Sequence, residues 1–431
     1  MSNERKIPIV KFATPSGKNF LKLINGSRQS RDEDVTVRVK DILENVRLKG
    51  DAALFQYTKE FDKIELTAKT IAVSAKDILK QAKKATPELQ EAIREAALRI
   101  EAYHKKQSRS GFSLKTAEGT LSQIIQPLNR VALYIPGGKT VYPSSVLMDA
   151  IPAKVAGVKE IVAVTPPHDQ LDPGIAYALQ LLDIKEVYRL GGAQAIGALA
   201  YGTKSIKAVD KIVGPGNSFV STAKRLVYGT VDIDSIAGPS EVVILADNSV
   251  NASWVALDLL AQAEHGTGDE LAICITEDAD FAKEIAAETL KEIEQSPVKE
   301  RFLSLPEYAI SIIVCKTRDE SITLANEIGP EHLQIMTKSY KKDVTKITSA
   351  AAVFLGKYTP VALGDYFIGT NHVLPTGGAA RFASPLGVDS FVKRISVAEV
   401  TAKGLDFSTP FVSTFARAEN FVHHALSVER R

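Results

Sequence analysis

From Arg130 onward the chain repeats one short pattern: an apolar run, a glycine turn, then a helix. Arg130 to Ile135 runs into Pro136-Gly137-Gly138, Val187 to Leu190 into Gly191-Gly192, and Lys211 to Val213 into Gly214-Pro215-Gly216-Asn217. Strands read as unbroken apolar runs when both of their faces are covered, so the pattern predicts a parallel sheet between layers of helices. The same texture starts again at Glu241, with apolar runs Val242 to Ala246, Leu271 to Thr276, Ile310 to Cys315, Leu333 to Thr337 and Ala351 to Leu355. The expected class is α/β, with two similar Rossmann-like parallel-sheet units over 130–240 and 241–386. A break near Gly238-Pro239-Ser240 separates them.

The flanking regions read differently. Residues 1–29 are weakly patterned and are expected to form an arm that needs a partner surface. Residues 30–129 are read as helical. Val39, Ile42, Leu43 and Val46 recur at helical spacing, and Thr86-Pro87 opens a second helix with apolar face Leu89, Ile93, Ala96 and Ile100. This segment is expected to pack with the second α/β unit. Residues 387–431 are read as a helical tail. Tyr358 to Pro385 is glycine- and proline-rich, and a long structureless connection in a compact chain is usually functional.

At 431 residues the chain is too long for one ordinary core. A net charge of +2 gives no case for a nucleic-acid surface. No apolar run reaches membrane-spanning length and the start lacks a signal-peptide core, so the expected place is the cytoplasm. Cys274 and Cys315 lie inside apolar runs and read as buried thiols, not as a disulfide.

The three glycine turns of the first unit stand at the carboxyl ends of strands and open helices, which suits a phosphate or pyrophosphate. None is a clean GxGxxG. The histidines point to a second centre. Of seven, five lie in the second half: His265, His332, His372, His423 and His424. His104 reads as structural or solvent-exposed and His168 as a loop residue. In Gly329-Pro330-Glu331-His332 an acid and an imidazole stand together on a pinned backbone, which suits acid–base work. Gln262 and His265 are three apart at the end of a helical pattern, with Gly266 placed to end it in a left-handed turn. A divalent metal such as zinc is the economical explanation for Gln262, His265, Asp365 and one of the C-terminal histidines.

Together these stretches resemble the histidinol dehydrogenase family. The likeness is carried by Tyr134-Ile135-Pro136-Gly137-Gly138, Gly191-Gly192-Ala193-Gln194, Gly214-Pro215-Gly216-Asn217, Ala237-Gly238-Pro239-Ser240-Glu241, Glu264-His265-Gly266, Gly329-Pro330-Glu331-His332 and Gly369-Thr370-Asn371-His372. The resemblance implies zinc held by Gln262, His265, Asp365 and His424, the last placed by its spacing from Glu419. It implies NAD at Tyr134, Gln194 and Asn217. It implies L-histidinol held by Ser240, His332, His372 and Glu419 beside the zinc ligands. Glu331 would activate water and His332 would be the general base, in an NAD-linked oxidation of L-histidinol through a bound aldehyde to L-histidine. It also implies a homodimer whose terminal extensions swap across, with sites shared between subunits. A sister zinc- and NAD-dependent dehydrogenase of a small sulfonated diol, or a silent nucleotide-binding relative, are the alternatives.

Overall fold

The computed structural model describes residues 5–29, 33–137, 141–168, 170–236, 238–265, 268 and 270–431. Three strands precede the first unit: β1 (Ile9–Lys11), β2 (Phe112–Lys115) and β3 (Gly119–Pro127). The first unit contributes β4 (Arg130–Tyr134), β5 (Glu160–Thr165), β6 (Glu186–Arg189), β7 (Lys211–Val213) and β8 (Asp232–Ile233). These form a parallel five-stranded sheet in the order β6-β5-β4-β7-β8. The second unit contributes β9 (Glu241–Ala246), β10 (Leu271–Thr276), β11 (Ile310–Val314), β12 (His332–Met336) and β13 (Ala352–Leu355). They lie in the order β11-β10-β9-β12-β13, with β1 added parallel at the β11 edge.

Counted within each unit, both sheets run third, second, first, fourth, fifth strand. The switch points fall between β4 and β7 and between β9 and β12. Every residue of β4, β9, β10 and β12 is buried, as the unbroken apolar runs require. Cys274 and Cys315 are free and buried.

The flanks depart from expectation. The helical segment packs on the first unit, not the second. Val35, Val39, Ile42, Leu43 and Val46 of helix Glu33–Lys49 share a core with Ala132, Ile196 and Ile212. Ile93, Ala96 and Ile100 of helix Pro87–Lys105 share another with Val131, Leu133 and Leu147. Helical periodicity states which face is buried but not which surface buries it. The same segment ends in strands. β3 pairs antiparallel with β2 and, along nine residues, with β14 (Val392–Val400), which belongs to the expected helical tail. After β14 the tail is helical, Ala402–Ala418 and Val422–Glu429. The described part of the N-terminal arm lies on its own chain: β1 joins β11, and Ile24 of helix Pro15–Gln29 enters the core of the second unit. No helix among the described residues is long and apolar enough to cross a membrane.

The two carboxyl-end crevices differ. At the first, the glycine turns stand over β4 and β7. At the second, the Arg318 guanidinium lies across the strand ends. It contacts Asp247 after β9 at 3.2 Å and Glu277 after β10 at 2.8 Å.

Candidate active site

The Glu331-His332 pair stands at the amino edge of the second sheet. His332 opens β12 and Glu241 opens the neighbouring β9. The Glu331 carboxylate accepts the Glu241 N–H at 2.9 Å, and His332 Nδ1 lies 3.0 Å from the Glu241 carbonyl. One strand end thus holds both side chains. In the neutral ring, with Nδ1 donating to that carbonyl, His332 Nε2 carries the free lone pair. It is buried without a hydrogen-bond partner among the described residues, and stands 3.7 Å from Asp365 Oδ1, beyond hydrogen-bond reach.

Burial pushes the Glu331 carboxyl up to about 7. Burial works against the His332 imidazolium, but Glu331 and Asp365 outweigh it and push that group up to about 9. Burial would raise Asp365, yet the imidazoles of His332, His372 and His265 draw it below the usual carboxylate range. Burial lowers His372 despite Asp365.

The Asp365 carboxylate therefore feels the charges of His332, His372 and His265. It sits on a short helix, Val361–Tyr366, inside the stretch expected to be structureless. His372 Nδ1 lies 3.0 Å from the Asp365 carbonyl, so that helix and the following loop are tied together. Gln262 is in the last turn of helix Ala252–Ala263, buried, with Nε2 lacking a partner among the described residues. His265 lies just past the helix and is exposed; Gly266, expected to turn the chain, lies outside the described residues, as do Ala237 and Gly138. Ser240 precedes β9, beside the same edge.

Gln262, His265 and Asp365 offer the mixed oxygen and nitrogen donors that suit zinc; the Gln262 donor would be its amide oxygen, while the atom left without a partner is Nε2. Among the described residues no group of three or more His, Cys, Asp or Glu side chains is gathered closely enough to hold a metal. The reason is local: one donor is an amide, and another is far away. Glu419 and His424 are exposed on the C-terminal hairpin, where they line a shallow hollow with Phe411, Val412, Phe415 and Phe421. His424 packs on the Phe421 ring, and His423 beside it is exposed.

The cofactor candidates meet at the carboxyl edge of the first sheet. Tyr134 ends β4, and its hydroxyl accepts the Gly192 N–H at 3.0 Å, binding two glycine turns together. Burial pushes that phenol up to about 12, so it stays neutral. Gln194 is buried in the first turn of helix Gly192–Tyr201, and its Oε1 has no partner among the described residues. Asn217 caps helix Ser218–Val227 through Oδ1, which leaves its amide hydrogens for a ligand. Beyond the ends of β5 and β6 a cavity of ≈ 230 Å³ opens, lined by Lys80, His168 and Arg189 among others. His168 lies in the loop after β5, as expected, and faces this cavity. Orphaned amides beside helix-opening turns fit a dinucleotide.

A junction that sequence reasoning missed joins the two edges. Asn371 Nδ2 donates to the Met148 carbonyl at 2.7 Å and lies 3.3 Å from His104 Nε2, while its Oδ1 accepts the Val373 N–H at 2.8 Å. Met148 belongs to the first unit and His104 to helix Pro87–Lys105, which packs on it; His372, the next residue, is tied to the Asp365 carbonyl. His104 is fully buried and serves as an anchor. Gly369 has φ 108°, and a Cβ there would stand 2.6 Å from the Arg99 carbonyl, so only glycine lets the loop lie this close to helix Pro87–Lys105. The signal in the sequence was His104 itself, a histidine one turn beyond Ile100 on an otherwise apolar face.

A sequence profile described as histidinol dehydrogenase matches residues 26–431. Histidinol dehydrogenase of Bacillus thuringiensis subsp. konkukian (strain 97-27) is 45% identical over 415 residues, covering 95% of this chain and 96% of that protein. That of Aquifex aeolicus (strain VF5) is 44% identical over 403 residues, covering 93% of each. The crystal structure of histidinol dehydrogenase from Elizabethkingia anophelis superposes with a TM-score of 0.91 at 36% identity, covering 99% of this chain and 98% of that one. By the length and identity of these matches, the chain belongs to the histidinol dehydrogenase family.

Proposed function

We propose that this chain is a cytoplasmic zinc-dependent enzyme of histidine biosynthesis. It converts L-histidinol, water and two NAD+ into L-histidine and two NADH, with release of protons. The observation that carries this reading is the buried His332 Nε2, partnerless and facing Asp365 beside Glu331. Zinc, when bound by Gln262, His265, Asp365 and His424, supplies charge that offsets Asp365 and anchors the amine and imidazole of the substrate. NAD+ at Tyr134, Gln194 and Asn217 supplies the hydride acceptor for each oxidation.

His332 Nε2 takes the hydroxyl proton of the alcohol. Its Nδ1–H stays bonded to the Glu241 carbonyl, so the ring keeps its orientation and tautomer throughout. Glu331 is anchored through one oxygen by the Glu241 N–H and keeps the other for a water, whose proton it accepts as that water adds to the bound aldehyde. After releasing its first proton to solvent, His332 Nε2 takes the hydroxyl proton of the hydrate in the second oxidation. His372, Ser240 and Glu419 hold the substrate, and burial of the pair limits escape of the aldehyde.

The working unit is a homodimer in which Glu419 and His424 complete the partner's site. Phe407, Phe411 and Phe415 of the C-terminal hairpin are exposed, as are Ile395 and Val397 of β14. An apolar face of this kind calls for a cover. The deciding test is NADH formed per L-histidinol consumed. A ratio of about two that collapses on chelation supports the reading. Absence of NADH from L-histidinol overturns it.

A further inference from the structure

The glycine turn after β7 is held from beneath by a buried ion pair. Gly214 has φ 113°, and a Cβ there would stand 2.2 Å from the Tyr134 carbonyl, so glycine alone lets the turn cross the end of β4. A Gly-Pro-Gly turn chosen for such closeness has little stiffness of its own. Two side chains supply it. Asp234, just past β8, accepts the Gly214 N–H through Oδ2 at 2.8 Å. Lys224 Nζ, from helix Ser218–Val227, donates to the Gly214 carbonyl at 2.9 Å. The two side chains are ion-paired to each other, with 2% and 4% exposure.

Both faces of one residue's backbone are therefore gripped by opposite charges that also grip each other. The grip links the helix to the turn that opens it, since Asn217 caps this same helix. Asp149, fully buried in helix Pro143–Ala156, backs the cluster: its Oδ2 lies 3.1 Å from where a Gly214 Cβ would be. Burial and the Asp234 charge hold the Asp149 carboxyl well above its ordinary range. A buried ion pair is a poor stabiliser beside an apolar pair of equal volume. Its value here lies in geometry.

We propose that Lys224 and Asp234 are positioning residues for the cofactor, clamping the Gly214 backbone so that Asn217 is presented in register with Tyr134. The proposal rests on reading this crevice as the NAD site. Neither residue touches the acid–base centre, which lies on the other sheet.

The test uses the full-length enzyme with zinc bound. Lys224→Met combined with Asp234→Asn removes both charges at near-constant volume, so neither is left buried alone. KM for NAD+ rises at least ~10-fold, while KM for L-histidinol and kcat at saturating NAD+ stay within ~3-fold, because only the turn is released. Zinc content is unchanged. Lys224→Arg, which keeps a charge and a donor, recovers most of the loss. Asp234→Asn alone changes almost no volume and moves KM for NAD+ in the same direction, so the idea stays testable if the double variant does not fold. Asn217→Ala is measured alongside. If Asn217→Ala raises KM for NAD+ but neither Lys224 nor Asp234 variants do, the clamp is refuted and the crevice stands. If Asn217→Ala also leaves it unmoved, the crevice reading falls and the clamp with it. An equal loss in kcat and both KM values marks a merely structural role and refutes the proposal.

Discussion

Asn371→Ala removes the joint between the two sheets. The side chain is 5% exposed and makes a 2.7 Å bond to the Met148 carbonyl and a 2.8 Å bond from the Val373 N–H. Its contact with His104 Nε2, at 3.3 Å, is weaker. Alanine leaves the carbonyl and the N–H buried and unpaired. At roughly 1–3 kcal/mol for each, the loss is about 2–6 kcal/mol before relaxation or an entering water reduces it. His372 is the next residue, and a displacement of about 1 Å there is enough to lower kcat ~10²-fold. Asn371→Asp is no better: its carboxylate keeps the Val373 bond but faces the Met148 carbonyl with like charge. Urea unfolding followed by circular dichroism, with steady-state kinetics and zinc content on the same preparations, reads all three consequences. Zinc content should fall less than kcat, because Gln262 and His265 lie on other elements and only Asp365 is tied to the displaced loop, through His372. A stability loss below ~1 kcal/mol together with kcat within ~3-fold of wild type would refute the anchor.

Glu331→Gln keeps the acceptor for the Glu241 N–H but not the base, so it yields about one NADH per L-histidinol in a single turnover, whereas His332→Asn yields none with zinc intact. Equal yields from the two would break the division of labour. Chains carrying His332→Asn and chains carrying His424→Ala are each silent. After mixing and exchange, half the dimers are mixed and each has one complete site, so about a quarter of wild-type activity returns. No recovery would mean that each tail serves its own subunit. Asp149 is held well above its ordinary range in the folded chain, while the unfolded chain loses that proton near pH ~4. The folded state therefore binds the extra proton between the two values. Its stabilising contribution is whole below the lower value and fades as pH rises towards the upper one. Asp149→Asn should raise the thermal midpoint more at pH 8 than at pH 5, and an equal change at both would show an ordinary carboxyl.

Much of the fold could be read because covered strands cannot alternate polar and apolar residues. The runs at Val242 to Ala246 and Leu271 to Thr276 lie on β9 and β10. Glu331 and His332 were legible for a similar reason, since a glycine and a proline fix the backbone just before a buried strand. What stayed hidden depends on partners distant in the chain. Helix Glu33–Lys49 carries its apolar face openly but not the address of the surface that covers it. β1 has three residues, too few for any pattern, and β14 is exposed along nearly all its length, so neither presents the alternation of a half-buried strand. Asp365 was found without its helix. Lys224 left a trace that went unread: it lies on the same face as Val220 and Val227, where a core residue belongs. Asp149 left another, as an acid within the apolar run Val146 to Ala153.

Arg318 bears on timing. Its guanidinium spans Asp247 and Glu277 at the carboxyl ends of β9 and β10, where the first sheet offers its glycine turns. Among the described residues, Arg318 thus occupies on the second sheet the place that the glycine turns hold on the first. On the proposed reaction, both acceptors must then pass through the β4–β7 crevice, one after the other. The half-oxidised substrate has to outstay an exchange of cofactor. Its residence time at the amino edge of β9 and β12 must exceed the time the first NADH takes to leave. On that proposed reaction the two edges of this molecule run on different clocks, a slow one that keeps the substrate and a faster one that renews the oxidant.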